Sequence, residues 1–483
     1  MGINTSNNLL RIAIVLPHKE IQKKYWDNPK IVFLDNDGWW IINEKNQRVF
    51  HEIGDINKTK NNNFKYSVTK DIANIRKWGP VISRWNDDGD QFELKLRNIL
   101  HQSFLIACDL SALNVKSAIF GTGISHHVYP FICENACVTA NIEQIFLYCD
   151  GFASRLIPVI QTKSISDRRV LKLNISNFNY SKSIHQMLDL KKIDKRQVFN
   201  ESDKWQESYC YSIIYLFFVT FLGQFVNRLR KIIMNKGKLF EPYYSYRLHT
   251  FYRQIKQQKK AIWFYKNNLC DVAKINDNAK LLIVAHYQPE ATSFPEGGEF
   301  GNHLDIVLEL RSKGYKQEIY YKEHPGSVQY IGKGVGPTRV GMARSENYYK
   351  QLLSLGCKFL PIDYYIPIKK SNFLPITIVG TIAIERSLSG LSTIYVGEPW
   401  WKGLPGTISI NDIKSLVNIN LMLTDANSDN AEKSFNFFTE MLNNNTLTNT
   451  LGIGSGVILN DQNQIDNFES EYDKLISYLM KAT

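Results

Sequence analysis

The chain has 483 residues, of which 44% are hydrophobic, 22% charged and 12% aromatic. That is long for one hydrophobic core and suits two or three domains of ordinary globular composition. Lys plus Arg exceed Asp plus Glu by 58 − 46 = 12, so the partner is expected to be anionic: nucleic acid, anionic lipid or a nucleotide. An odd, irregularly spaced set of seven cysteines (Cys108, Cys133, Cys137, Cys149, Cys210, Cys270, Cys357) suits reduced thiols in the cytosol. Cys133 and Cys137 fall on one helix face, but two ligands make a poor zinc site, and they read as buried thiols.

Residues 1–160 read as an irregular α/β domain. The apolar start Leu9–Leu16 is too short for a signal segment and reads as a first strand, so a cytoplasmic location is expected. Strands are expected at Ile12–Leu16, Ile31–Leu34, Trp39–Ile42, Ala118–Phe120 and Ile145–Leu147, with a turn at Asp35–Gly38. Phe92–Ser111 carries apolar residues at helical spacing. After it come a strand, the loop Gly121–His127 and a helix from Val128, without the full dinucleotide fingerprint.

Residues 161–275 read as a basic, aromatic, helical middle segment. Tyr209–Leu222 is almost continuously apolar, yet shorter than the roughly 20 residues a membrane span needs. Arg228, Arg230, Lys231, Lys236 and Lys238 follow it. This is a core helix with a solvated basic stretch, or a helix lying on an anionic membrane surface. Tyr243–Lys274 is expected to form helices bridging the two halves.

Residues 276–440 carry the densest pattern. Four apolar, β-branched or aromatic runs each end in a polar turn. Leu281–Ala285 leads to His286-Tyr287-Gln288-Pro289-Glu290, and Glu318–Tyr321 to Lys322-Glu323-His324-Pro325. Leu374–Val379 leads to Gly380-Thr381 with Glu385, Ser387 and Ser389, and Ser392–Val396 to Gly397-Glu398-Pro399-Trp400-Trp401. Open parallel sheets bind ligands at the carboxyl ends of their strands, so this half reads as an α/β nucleotide-binding domain. Residues 441–483 form a tail whose helix, Asp466–Met480, has a stripe of Phe468, Tyr472, Leu475, Ile476 and Leu479 to pack back on the core.

Lys322 and His324 are donors suited to phosphate and ribose oxygens, with Pro325 fixing the backbone behind them. Thr381 is expected to cap a helix whose free N–H groups receive an anion. Glu385 is placed to accept ribose hydroxyls, and Ser387 and Ser389 to meet phosphate. Gln288 and Glu290 end another strand, beside a glycine-containing loop. In the first domain an acceptor hydroxyl needs a base; the candidates are His126, favoured for following the glycine loop, His127, Asp35, Asp37 and Asp150. Asp35 and Asp37 also admit a metal, with nothing else to support one.

The order of these four strand-end motifs resembles the bacterial capsule polysaccharide biosynthesis family, which includes glycosyltransferases for Kdo (3-deoxy-octulosonic acid). The likeness covers roughly residues 275–410. Its His-Pro element also resembles that of bacterial sialyltransferases. The resemblance implies a GT-B fold, two Rossmann-like domains facing across a cleft, with the donor nucleotide in the C-terminal one. It implies that His324 and Pro325 meet CMP, that Thr381, Glu385 and Ser387 line the same pocket, and that Gln288 and Glu290 face the donor sugar or the cleft. The implied activity is transfer of a CMP-activated ulosonic acid (Kdo, sialic, legionaminic or pseudaminic type) to a capsule or lipopolysaccharide glycan. No metal or other cofactor is expected. The alternatives are a UDP- or GDP-sugar donor and a nucleotide-sugar epimerase. A nucleic-acid partner is not expected, for want of a basic-aromatic recognition module.

Overall fold

The computed structural model describes residues 9–17, 19–35, 38–43, 45–56, 92–120, 128–150, 155–162, 164–185, 248–275, 280–286, 296–324, 344–364, 373–413, 428–449 and 462–482. In chain order the first elements are β1 (Arg11–Val15), α1 (Lys19–Lys24), β2 (Ile31–Leu34), β3 (Gly38–Ile42), β4 (Arg48–Glu52), α2 (Phe92–Ala112), β5 (Val115–Phe120) and α3 (Val128–Thr139). Then come β6 (Glu143–Cys149), β7 (Arg155–Gln161), β8 (Arg169–Val170), α4 (Leu248–Asn267), β9 (Lys280–Val284), α5 (His303–Ser312), β10 (Ile319–Lys322), α6 (Glu346–Ser354) and β11 (Cys357–Leu360). The last are β12 (Phe373–Ile378), α7 (Thr381–Leu388), β13 (Thr393–Val396), β14 (Thr407–Ser409), α8 (Ser428–Leu442), β15 (Leu447–Thr448) and α9 (Gln462–Ala482). The chain divides into two compact units: Met1–Ile82, Asp90–Met187 and Asn436–Thr483 make the first, Ser83–Gly89 and Leu188–Phe435 the second.

The first unit is built on a mixed sheet in the order β15-β7-β6-β5-β1-β2-β3-β4, with β8 paired to β7. Its centre, β2-β1-β5-β6, is parallel, and both flanks are antiparallel. The parallel centre reads as continuous apolar runs because both of its faces are covered: all five residues of β1 and all four of β2 are buried. The expected stripe of α9 packs there, with Phe468, Tyr472, Leu475, Ile476 and Leu479 against Ile12, Ile14, Ile31 and Phe33. Arg155 on β7 donates to Thr448 Oγ1 (2.6 Å), to the Thr446 carbonyl (2.6 Å) and to Glu471 (2.8 Å), tying β15 and α9 to the sheet.

A boundary at 160 therefore runs through β7. Residues 161–185 join the first unit, because β8 pairs back on β7 and Leu171, Ile175 and Tyr180 are buried there. Residues 441–449 and α9 belong to it as well. In α3, Cys133 and Cys137 are both buried, which raises their thiol pKa values.

The second unit holds a parallel sheet in the order β11-β10-β9-β12-β13-β14. Numbered by appearance this is 3-2-1-4-5-6, the order of doubly wound, Rossmann-like sheets. All four strand runs expected in this half are present. The short strands β11 and β14 at its two edges went unpredicted. The crossovers α5 and α6 start at side-chain caps: Asn302 accepts from the Leu304 N–H and Ser345 from the Tyr348 N–H. Both pack on the main core with Ala261 and Tyr265 of α4, so the described core-facing residues of α4 serve this unit.

Among the described residues no helix is long and apolar enough to cross a membrane. The Tyr209–Leu222 run and its basic flank lie outside them.

Candidate functional site

In a doubly wound sheet the ligand crevice opens where the chain's direction of winding reverses, at the carboxyl ends of the first and fourth strands. Here those strands are β9 and β12. Side chains alternate across a strand. Leu281, Ile283 and Ala285 face the main core, so Val284 and His286 face the other side. Lys322 is in register with Val284. Thr377 lies between the core residues Ile376 and Ile378 and also turns away from the core. Lys322, His286 and Thr377 thus share one sheet face at its carboxyl edge.

His286 is fixed at both ends. Its backbone N–H donates to His303 Nε2 (2.9 Å), and its own Nε2 lies 3.0 Å from Thr377 Oγ1. The space a side chain at Gly380 would need is already filled, since a Cβ there meets Thr377 Oγ1 at 2.3 Å and His286 Nε2 at 2.8 Å. The preceding Val379 has φ +53°, a left-handed conformation rare for a β-branched residue, and it turns β12 sharply into α7. Such strain costs about 1–3 kcal/mol and gathers at functional turns. Gly380 is the N-cap of α7, and no side chain caps the helix. Thr381 is its exposed first residue, which corrects its expected capping role; the first-turn amides keep their positive end of the helix dipole for a ligand. Glu385 lies one turn further on and is half-buried.

Burial sets the charges. It pushes His286 down to about 3, helped by His324 and Arg344, and lowers His303 as well. His324 is pushed down to about 4 by burial, with Glu323 opposing. All three imidazoles are neutral at pH 7 and act as hydrogen-bonding groups without charge. Lys322, 7% exposed, is lowered to about 8 by burial, against the fields of Glu323 and Asp363.

Behind this edge lies a buried ion pair. Glu323 accepts from Arg344 Nε (2.7 Å), Tyr349 Oη (2.8 Å) and Tyr321 Oη (2.9 Å), and its Oε1 accepts the His324 N–H (2.8 Å). Arg344 reaches on to the His286 carbonyl (3.1 Å). The guanidinium thereby joins the chain ends that leave β9 and β10. Arg344 holds Glu323 below the usual carboxylate range in spite of its burial. Sequence reasoning gave Arg344 no role, and no local pattern marks a partner 21 residues away.

Several expected residues are engaged elsewhere. Ser387 is fully buried, its hydroxyl 2.6 Å from Ser434 Oγ and bonded to the Pro405 carbonyl, which corrects its placement at phosphate. Ser389 Oγ donates to the Glu385 carbonyl of its own helix (2.9 Å). Asp35 accepts from the Gly38 N–H (3.0 Å) and Trp40 Nε1 (2.9 Å), so its two oxygens brace a turn. Asp150 is 1% exposed and accepts from Tyr180 Oη (2.8 Å). His126, His127, Asp37, Gln288, Glu290 and Pro325 lie outside the described residues. Among the described residues no group of His, Cys, Asp and Glu is disposed to hold a metal ion.

Comparison of the chain with protein-family models, curated proteins and solved structures finds no match in any of the three.

Proposed function

We propose that the chain is a glycosyltransferase of GT-B arrangement that transfers an acidic ulosonic sugar from a CMP-activated donor to a capsule or lipopolysaccharide glycan. The observation that carries the reading is the edge of the second unit's sheet. A 3-2-1-4-5-6 parallel order puts His286 and the uncapped start of α7 at the ends of β9 and β12, the reversal point where such sheets take nucleotides, with Lys322 and His324 at the end of the adjoining β10. The motif likeness of residues 275–410 supports the donor class.

In this reading His324 is a neutral donor to the nucleotide, with Pro325 behind it. Gly380 and Thr381 present the helix amides to phosphate, and Glu385 takes ribose hydroxyls. Gln288 and Glu290, on the segment after His286, face the sugar, and Glu290 and His126 are the acid–base candidates. Cationic and helix-end groups stabilise the leaving phosphate in place of a metal. The acceptor is a glycan or lipid-linked glycan, met at the cytoplasmic side of the inner membrane. In support of an anionic surface, α4 carries Arg253, Lys256, Lys259, Lys260 and Lys266 with no Asp or Glu, and its Trp263 is 68% exposed.

Calorimetry against CMP, UMP and GDP tests the donor. CMP is expected to bind tightest, and His324→Ala to weaken it about tenfold, the value of one lost hydrogen bond at a desolvated site. Tighter binding of UMP or GDP moves the reading to a UDP- or GDP-sugar enzyme. Turnover of the sugar nucleotide without acceptor moves it to an epimerase, and no nucleotide binding at all overturns it.

A further inference from the structure

We propose that Arg344 is the positioning residue of the nucleotide site: with Glu323 and His303 it holds the backbone of His286 and His324 where the sheet no longer does, so that both imidazoles are set before a ligand arrives. The inference rests on the nucleotide reading above and adds to it the residue that fixes the site's shape.

The ladder between β9 and β10 ends with the Ala285 N–H donating to the Lys322 carbonyl (2.9 Å). Beyond that bond the backbone groups of both chain ends need other partners. Buried side chains supply them. The His286 N–H donates to His303 Nε2 (2.9 Å), and the His286 carbonyl accepts from Arg344 Nη2 (3.1 Å). The His324 N–H donates to Glu323 Oε1 (2.8 Å), while Glu323 Oε2 accepts from Arg344 Nε (2.7 Å). One guanidinium thus reaches both ends, directly after β9 and through Glu323 after β10. Glu323, His303 and Arg344 are all buried.

The guanidinium is itself firmly placed. Arg344 stands directly before Ser345, the N-cap of α6. Its charged group lies 4.9 Å from the centre of the Tyr348 ring, in the first turn of that helix. On the other side of the pair, Tyr321 and Tyr349 donate to Glu323 Oε2 at 2.9 and 2.8 Å.

Stability alone does not account for this arrangement. Taking two charges out of water costs about as much as their attraction returns, and well-packed apolar residues in place of a buried pair are often as stable. Apolar residues do not bond to backbone groups on two strands. A guanidinium does, because its donors fan out in one plane. Strand ends held in advance lower the ordering cost of binding.

The test compares three variants of the full chain: Arg344→Lys, Glu323→Gln combined with Arg344→Met, and Leu352→Ala. CMP calorimetry, thermal unfolding and NMR of isotope-labelled histidine rings are the readouts. Lysine keeps a charge opposite Glu323 but has no second arm for the His286 carbonyl. The double variant removes both charges, so neither is left buried alone. Leu352, fully buried in the same core on α6, is the control for lost stability by itself. Arg344→Lys and the double variant are expected to remain folded at room temperature, to bind CMP about tenfold or more weakly, and to shift and broaden the His286 and His324 ring signals. Leu352→Ala is expected to lower Tm while CMP affinity and ring signals stay as in wild type. Wild-type affinity and ring signals in folded Arg344→Lys and in the double variant overturn the inference and leave the nucleotide reading standing. Unfolding of both Arg344 variants makes the pair a support of the fold and overturns the inference as well. Absence of CMP, UMP and GDP binding by wild type overturns the nucleotide reading. Ring signals that move in the variants then still sustain Arg344 as the residue that sets the two imidazoles, and signals that do not move overturn both.

Discussion

At the scale of one residue, the burial of Lys322 acts against stability. Its pKa is lowered on folding, from 10.5 to about 8, so between those values the unfolded chain binds more protons than the folded one. Stability therefore rises with pH across that window, and the burial penalty is fully present below pH 8. Lys322→Met removes the charge and keeps the stem. At pH 7 it is expected to raise the unfolding free energy by about 1–3 kcal/mol, with the advantage over wild type fading from pH 8 to 10.5. Urea denaturation at several pH values measures it, and a variant no more stable than wild type at pH 7 speaks against the assigned burial. Glu323 has the opposite sign: its lowered pKa contributes stability above the carboxylate range that is lost as pH falls through the folded value.

At the scale of an element, the β12–α7 turn is built around a glycine for an unexpected reason. The sequence places Gly380 just before the helix whose free N–H groups are expected to receive an anion. In the structure the vacant position admits His286 and Thr377, so the glycine serves the protein's own packing. Gly380→Ala is expected to cost about 1–3 kcal/mol through overpacking, read as a lower Tm of the second unit. Adding Thr377→Ala removes the atom at 2.3 Å and is expected to restore part of that loss, a coupling that a double-mutant cycle detects. Additive effects would place the strain elsewhere. The strands around this turn were legible because each is a short β-branched or aromatic run closed by a polar turn. The hydroxyls were not. Ser387 and Thr381 are six residues apart on one short helix, yet one faces the core and the other solvent, and that depends on which side of α7 meets the sheet.

For the whole molecule, the two units have separate cores, and the chain's last helix belongs to the first of them. Leu475 on α9 is fully buried. Leu475→Ala is expected to destabilise the first unit by about 2–5 kcal/mol. In scanning calorimetry this lowers the transition of that unit, while CMP binding, assigned to the second, is unchanged at temperatures below it. Loss of CMP binding in a still-folded variant would contradict that division of labour.

By itself the sequence determined the local content of this protein. Strand runs, the amphipathic stripe of α9 and the polar turns after β9, β10, β12 and β13 follow from residue type and spacing, which act over a few neighbours. Tertiary structure decided which of those turns come together. The strand order that brings the ends of β9, β10 and β12 to one edge, the union of Glu323 with Arg344 across 21 residues, the bonds of Asp35, Asp150 and Ser387, and the return of residues 161–185, 441–449 and α9 to the first unit are long-range pairings. Hydrogen-bond partners and buried neighbours fix them, and neither is written in any short stretch of chain.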